Sequence, residues 1–369
     1  MKKMNLEFLA NRRLQPELPS HLLLQWHITD RCNLRCSHCY QETYSGDELP
    51  FEKLLIIVDQ FKELLECRKK EIGIPQRGHI TITGGEPFVR NDFMELLDVF
   101  NRNRFSFAIL TNGSYIDSEM ASNLAKLRPR FVQVSIEGAR KTHDSIRGAG
   151  NFDTTVVALK HLVKEKVPSM ISFTAHKDNY REFPQVTALG CKLGVSKVWA
   201  DRLIPNGNGS EVQCMSPEET KEFMEIMFQA KTRAQKKMFN KTEISMRRAL
   251  QFLVAGGRPY SCSAGNTLIT IMPNGDLYPC RRMPISVGNV METYLRKLYY
   301  ENEVMLSLRQ MDRISQGCEN CFYSGICHGG LKCLSYAVNG DPFTKDPGCW
   351  RVEERNYKRQ RIAISCSEI

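Results

Sequence analysis

The chain has 369 residues, a formal charge of +10 and a pI near 8.9, with 42% hydrophobic and 25% charged residues. That balance fits a water-soluble globular chain with room for one large and one smaller domain, and no apolar run approaches the length of a membrane span. The apolar residues of the N-terminus are interrupted by Glu7, Asn11, Arg12 and Arg13, so no signal-peptide core is present and the cytoplasm is the expected compartment. Fourteen cysteines in such a chain point to metal rather than to disulfides. Lys and Arg are spread along the chain, densest near Gln235–Lys241, so neither nucleic acid nor membrane is an expected partner.

Short β-branched or aromatic runs predict strands at Leu22–Ile28, His79–Thr83, Phe105–Thr111, Phe131–Ile136, Met170–Ala175 and Lys197–Asp201. Helical stretches lie between them at Phe51–Cys67, Asp92–Asn103, Ser118–Leu127, Phe152–Lys166 and Arg181–Leu193. This alternation argues for an α/β fold with a parallel sheet, either a partial barrel or an open doubly wound sheet. Chemistry in such sheets gathers at the C-terminal strand ends. The unusual residues sit there: Cys32–Cys39 after the first strand, Gly84-Gly85-Glu86-Pro87 after the second, Thr111-Asn112-Gly113 after the third, Glu137-Gly138 after the fourth, and L-I-P-N-G-N-G from Leu203 after the sixth.

A polar helical stretch over Pro217–Lys237 reads as a bridge. From Ser261 the chain is rich in Cys, Gly and Pro, and N-T-L-I-T-I-M-P-N-G-D-L-Y-P-C predicts a hairpin turning at Asn274-Gly275. The expected division is an N-terminal segment 1–21, an α/β unit 22–216, a helical bridge 217–260 and a small cysteine-dense domain 261–369. In that last domain metal would supplement a thin core.

The first cysteines stand in T-D-R-C-N-L-R-C-S-H-C-Y with C-x3-C-x2-C spacing. Three thiolates on a tight loop can each bind one iron of a cubane and leave the fourth iron open. The spacing alone leaves a zinc site with His38 as fourth ligand as an alternative. The loop, between a strand and a helix, resembles the signature of the radical S-adenosylmethionine (SAM) superfamily. The resemblance implies that Cys32, Cys36 and Cys39 ligate a [4Fe–4S] cluster whose open iron is chelated by SAM. It also implies reductive cleavage of SAM to a 5′-deoxyadenosyl radical that abstracts hydrogen from substrate. Gly84, Gly85, Glu86 and Pro87 are similar to the family's methionine-binding motif: the glycines would let backbone approach the ligand, and Glu86 would accept from its ammonium. Ser135 and Glu137 in V-S-I-E-G resemble the family's ribose- and carboxylate-contacting strand end, although Asp often stands where Glu137 is. Arg147 has a fork suited to a carboxylate or to a structural salt bridge. Asn179, Leu203 and Ile204 lie in segments that resemble adenosine-contacting ones.

Seven later cysteines form a second pattern: Cys262 and Cys280, then C-x2-C-x5-C at Cys318, Cys321 and Cys327, then Cys333 and Cys349. It resembles the SPASM domain, which carries auxiliary [4Fe–4S] clusters. The resemblance implies a nearer cluster on Cys262, Cys280 and Cys333, and a distal one on Cys318, Cys321, Cys327 and Cys349. With the SAM-binding cluster that makes three. The chain departs from the pattern in C-H-G-G-L-K-C, which gives C-x5-C in place of C-x3-C. The nearer set has only three cysteines, so its cluster is expected to have an open iron or a ligand other than cysteine. Cys67, Cys191, Cys214 and Cys366 fall outside both patterns, and Cys67 sits in helical rhythm.

Enzymes of this combination mostly modify peptides. The resemblance implies an oxidoreductase that matures a ribosomally made precursor peptide, with thioether crosslinking as the leading chemistry. Carbon–carbon crosslinking, decarboxylation, epimerisation, sulfatase maturation and tetrapyrrole side-chain chemistry are alternatives, as is a non-enzymatic zinc-binding scaffold. A separate leader-binding protein and a flavodoxin or ferredoxin electron donor are the expected partners.

Overall fold

The first strand, β1 (His21–His27), reads H-L-L-L-Q-W-H. Its period-two alternation buries Leu22, Leu24 and Trp26 on one face and turns Leu23, Gln25 and His27 to the other. The same alternation recurs through β2 (Arg77–Thr83), β3 (Ser106–Thr111), β4 (Val132–Ser135), β5 (Ser169–Ala175) and β6 (Lys197–Arg202). Parallel registers such as Gln25↔Thr81, Leu110↔Gln133, Ser135↔Ser172 and Thr174↔Asp201 align the second set on one inner face. That face is polar, whereas a parallel sheet covered on both sides would be apolar on both. In this computed structural model of residues 20–236, 238, 240–310 and 312–351, the expected segment 1–21 and Cys366 lie almost wholly and wholly outside the described residues.

Helices cover the outer face. They are α1 (Phe51–Ile72), α2 (Phe93–Arg102), α3 (Ser118–Leu127), α4 (Arg140–Arg147), α5 (Asn151–Lys164) and α6 (Phe183–Leu193). The period of α1 buries Leu54, Ile57, Val58, Phe61, Leu64 and Leu65. Helix α4 is not among the periodic stretches of the sequence. It is short and polar, and Gly148 ends it at a φ of 112° that favours glycine.

The fold is a partial barrel of six strand–helix units, and the sheet continues past both of its ends. Helix α7 (Pro217–Gln235) starts with a capping box between Ser216 and Glu219. It buries Phe223, Met224 and Met227 in the main core, so this stretch is packed rather than a free bridge. Strand β7 (Glu243–Ser245) then pairs with β6. At the other edge the hairpin turns at Asn274-Gly275: β8 (Leu268–Ile271) pairs antiparallel with β9 (Leu277–Tyr278) and parallel with β1. Among the described residues the sheet order is β7-β6-β5-β4-β3-β2-β1-β8-β9. The cysteine-rich third is thus joined to the barrel by backbone hydrogen bonds.

A buried ion pair adds a second joint. Arg202, at the end of β6, donates Nη1 and Nη2 to the two carboxylate oxygens of Asp346, both at 2.6 Å. Asp346 also accepts from the backbone of Leu331 and Gly348. Removing one member of a buried pair strands the other charge, so Asp346→Ala should cost about 3–5 kcal/mol. The joint exchange Arg202→Met with Asp346→Leu should cost markedly less. Thermal unfolding of the reconstituted protein measures both, and equal losses would show that the pairing is not the cause.

Candidate active site

The cysteine loop after β1 is held from two sides by backbone. On one side Gly85 N–H donates to Thr29 O at 2.8 Å and Glu86 N–H to Arg31 O at 2.9 Å. A Cβ on Gly84 would overlap the Thr29 carbonyl, and one on Gly85 would overlap that of Arg31. The two glycines therefore let the β2 turn lie on the cysteine loop. Both glycines also line the cleft, where the sequence expects them to let backbone approach a ligand. On the other side Gly209 N–H donates to Cys39 O at 2.9 Å, and a Cβ on Gly207 would overlap the Tyr40 carbonyl.

Buried polar side chains lock the surrounding strand ends. Glu86 is fully buried and accepts from Thr111 Oγ1 (2.8 Å), Asn112 N–H (2.8 Å) and Phe88 N–H (3.3 Å). Burial pushes its carboxyl up to about 7 while those donors pull the other way. Glu137, also fully buried, accepts from Arg147 Nη2 at 2.6 Å and from Thr174 N–H at 2.8 Å, with His38 Nε2 at 3.1 Å. Burial opposes its charge, but Arg147 and His38 prevail and hold the carboxyl well below the usual range. Arg147 Nη1 also reaches Cys36 Sγ at 3.8 Å. Asn179 donates Nδ2–H to the carbonyls of Glu137 (3.1 Å) and Thr174 (3.0 Å).

Above the inner face lies a cleft of about 1090 Å³ into which Cys32, Cys36 and Cys39 all open. Ser135, Arg147, Leu203 and Ile204 of the sequence-predicted residues also line it. Glu86, Pro87, Glu137 and Asn179 do not; the three polar ones spend their hydrogen bonds on the neighbouring loops. Sequence reading missed Gln133, Ser172 and Trp199, which line the cleft from inward strand positions that the period-two pattern could have marked. It also missed Arg281 and Arg282, which directly follow Cys280.

The later cysteines gather in two groups. Cys262, Cys280 and Cys333 pack in one small apolar cluster with Ile204, and Cys214 packs against it too. Burial pushes the Cys262 and Cys333 thiols up, and their thiol neighbours add to this. Cys318, Cys321, Cys327 and Cys349 line a second cavity of about 400 Å³ with Phe252 and Tyr323. The two extra residues of C-x5-C are absorbed in a turn where His328, Gly329 and Gly330 all have positive φ. Cys333 is then buried at the start of α12 (Lys332–Asn339), the helices α8 (Phe252–Ala255), α9 (Leu295–Glu301), α10 (Glu303–Leu308) and α11 (Ser324–Cys327) preceding it.

Residues 26–189 match the family model of the Radical SAM superfamily, and residues 262–322 that of SPASM, an iron–sulfur cluster-binding domain. This chain is a radical SAM enzyme with a SPASM domain. It is 27% identical over 346 residues to the AdoMet-dependent heme synthase of Methanosarcina barkeri, covering 89% of this chain and 95% of that one. It is also 27% identical over 348 residues to the mycofactocin maturase MftC of Mycolicibacterium smegmatis, covering 90% and 83%. Streptococcus suis SuiB bound to precursor peptide SuiA superposes with a TM-score of 0.71 at 18% identity, covering 95% of this chain and 82% of that one. For anSMEcpe with bound AdoMet the TM-score is 0.70 at 18% identity, covering 94% and 99%.

The residues of this radical SAM enzyme fit the cofactors its domains imply, SAM and iron–sulfur clusters. Thiols set around a shared cavity suit a cluster in which each thiolate binds its own iron. No described helix is long and apolar enough to cross a membrane.

The Glu137 cluster gives a pH prediction. An acid whose folded pKa is depressed lends stability above its unfolded value, near pH 4.5, and that stability drains away as pH falls toward the folded value. Glu137→Gln should lose about 3–5 kcal/mol at pH 7 and show a flatter stability profile below about pH 4.5 than the parent. Denaturant unfolding across pH measures this, and parallel profiles would contradict it. Gly85→Ala should displace the cysteine loop and lower bound iron while leaving the far-ultraviolet circular dichroism of the barrel. Unchanged iron content would show that the loop tolerates the clash.

Proposed function

We propose that this enzyme matures a ribosomally made peptide and that it forms a thioether between a cysteine sulfur and a carbon. The observation that carries the reading is the position of Cys262, Cys280 and Cys333 directly behind the cleft. Ile204 lines the cleft and packs in the same small cluster as those thiols, and Arg282 lines the cleft within electrostatic reach of Cys333. When bound, SAM and a reduced four-iron cluster on Cys32, Cys36 and Cys39 supply a carbon radical that removes a hydrogen atom. Closing a carbon–sulfur bond then leaves one proton and one electron to dispose of. The thiols behind Ile204 stand where an electron acceptor is needed. In this reading Cys262, Cys280 and Cys333 are the ligands and Cys214, though packed beside them, is not, which leaves one position for a substrate thiolate, as open metal sites do. Cys318, Cys321, Cys327 and Cys349 hold a third cluster in this reading.

The chain's own groups do the positioning. Gly85 and Gly209 fix the cysteine loop against two strand ends, Arg147 sets its charge beside Cys36, and the Glu137 carboxylate holds Arg147 and His38 in place. Ser135, Leu203 and Ile204 form cleft wall suited to SAM. Glu86 and Asn179 position the loops that carry the wall. The mycofactocin maturase and the SuiB complex with its precursor peptide support a peptide substrate for this chain too. A separate leader-binding protein and a flavodoxin or ferredoxin donor complete the proposal.

Tetrapyrrole chemistry is the second reading, favoured by the heme synthase of Methanosarcina barkeri and by its Fe-coproporphyrin III synthase, 26% identical over 92% of this chain. One experiment separates the two. Anaerobically reconstituted enzyme should hold about twelve irons, from three four-iron clusters. It is incubated with SAM, dithionite and either a cysteine-bearing peptide encoded beside its gene or Fe-coproporphyrin III. Loss of two hydrogen atoms per crosslink from the peptide supports the proposal. Loss of carbon dioxide from the porphyrin, with the peptide untouched, overturns it. The triple change Cys32→Ala, Cys36→Ala and Cys39→Ala should remove about four irons and all SAM cleavage. Retention of either would contradict the assignment.

A further inference from the structure

Four arginines line the cleft: Arg147, Arg202, Arg281 and Arg282. Three are paired with carboxylates. Arg147 is held by Glu137, Arg202 by Asp346, and Arg282 by Asp201 at 2.6 Å. Arg281 is different. Its one hydrogen bond runs from Nη1 to Thr83 Oγ1 at 3.4 Å, and among the described residues it has no carboxylate in salt-bridge reach. None of its other described neighbours offers it a carboxylate. The Tyr40 ring lies 5.6 Å from its guanidinium carbon, a contact with a ring face rather than an ion pair. His27 is fully buried with neither ring nitrogen hydrogen-bonded. Burial, and secondarily the charge of Arg281, push its imidazole down to about 3, so it is neutral. The adjacent Cys280 lies within electrostatic reach of the guanidinium, but a single sulfur does not match its two-pronged fork.

A part-buried guanidinium with one long hydrogen bond and no carboxylate keeps most of its five donors free for a ligand in the cleft. Its rigid fork matches a carboxylate with two parallel hydrogen bonds. Arg147, the residue whose fork the sequence offered for a carboxylate, is already occupied by Glu137. We propose that Arg281 is the substrate-holding residue of this enzyme and grips a carboxylate that the substrate carries into the cleft. The inference rests on reading the cleft as the substrate site. A peptide's acidic side chain or C-terminus and a tetrapyrrole propionate share this chemistry.

The test uses the reconstituted holoenzyme. Reductive SAM cleavage is confirmed first, and its failure would contradict the radical reading rather than the role of Arg281. With SAM bound, the protein is treated anaerobically with phenylglyoxal, and modified arginines are mapped by mass spectrometry. Arg281 should react while Arg147, Arg202 and Arg282 stay largely unmodified. Succinate should slow the reaction at Arg281 about tenfold, the change expected for one charged hydrogen-bonded contact, and succinamide should not. Coproporphyrin III against its tetramethyl ester, and an acidic peptide with a free or amidated C-terminus, then show which carboxylate source protects best. If SAM alone already protects Arg281, its guanidinium belongs to the cofactor and the inference falls. It falls equally if succinate and succinamide act alike.

Discussion

The site depends on backbone lying directly on backbone. A loop that must present three thiols to one cavity has little regular structure of its own, so its shape is imposed from outside. Here the imposition is steric and directional: the β2 turn donates Gly85 N–H and Glu86 N–H into the loop, and the β6 turn donates Gly209 N–H from the far side. Both turns come close enough because side chains are missing at Gly84, Gly85 and Gly207. The arrangement of Cys32, Cys36 and Cys39 is thus a property of three strand ends together. The parallel sheet supplies it by bringing all its C-terminal ends to one rim.

Charge is handled in the same way. Three buried carboxylates near the rim, Glu137, Asp201 and Asp346, hold arginines, and each pair spans two elements. Glu137 ties β4 to the end of α4. Asp201 gathers Arg248 and Arg282. Asp346 draws Arg202 toward the cysteine-rich third. Such pairs contribute modest net stability but fix geometry, because breaking either half leaves an uncompensated charge. The auxiliary thiols therefore sit behind Ile204 in a fixed relation to the cleft. The sheet reinforces that relation through the parallel pairing of β8 with β1.

Much of this was legible in the sequence. Six strands and five of the helices follow from period-two and 3.6-residue patterns, and the Asn274-Gly275 turn sets the hairpin. The clustering of Cys32, Gly84, Ser135 and Leu203 follows from parallel topology. Helix α4 was hidden because R-K-T-H-D-S-I-R is short and almost wholly polar, with Ile146 its one aliphatic residue. The roles of Glu86 and Glu137 were hidden for another reason. A carboxylate at a strand end reads the same whether it faces a ligand or bolts two loops together. The bolting contacts come into view only with the donors around it, Asn112 N–H and Thr174 N–H among them. The pairing of β8 with β1 joins residues more than two hundred positions apart, which no local pattern encodes.

We propose that the clamped thiols Cys32, Cys36 and Cys39 hold a cluster with one iron open to SAM. Electron paramagnetic resonance of the dithionite-reduced, reconstituted enzyme tests it directly. Adding SAM should change the signal of one cluster and leave the remainder untouched, and Cys36→Ala should abolish the SAM-sensitive component alone. A spectrum indifferent to SAM, or a SAM-sensitive signal that survives Cys36→Ala, would contradict the account.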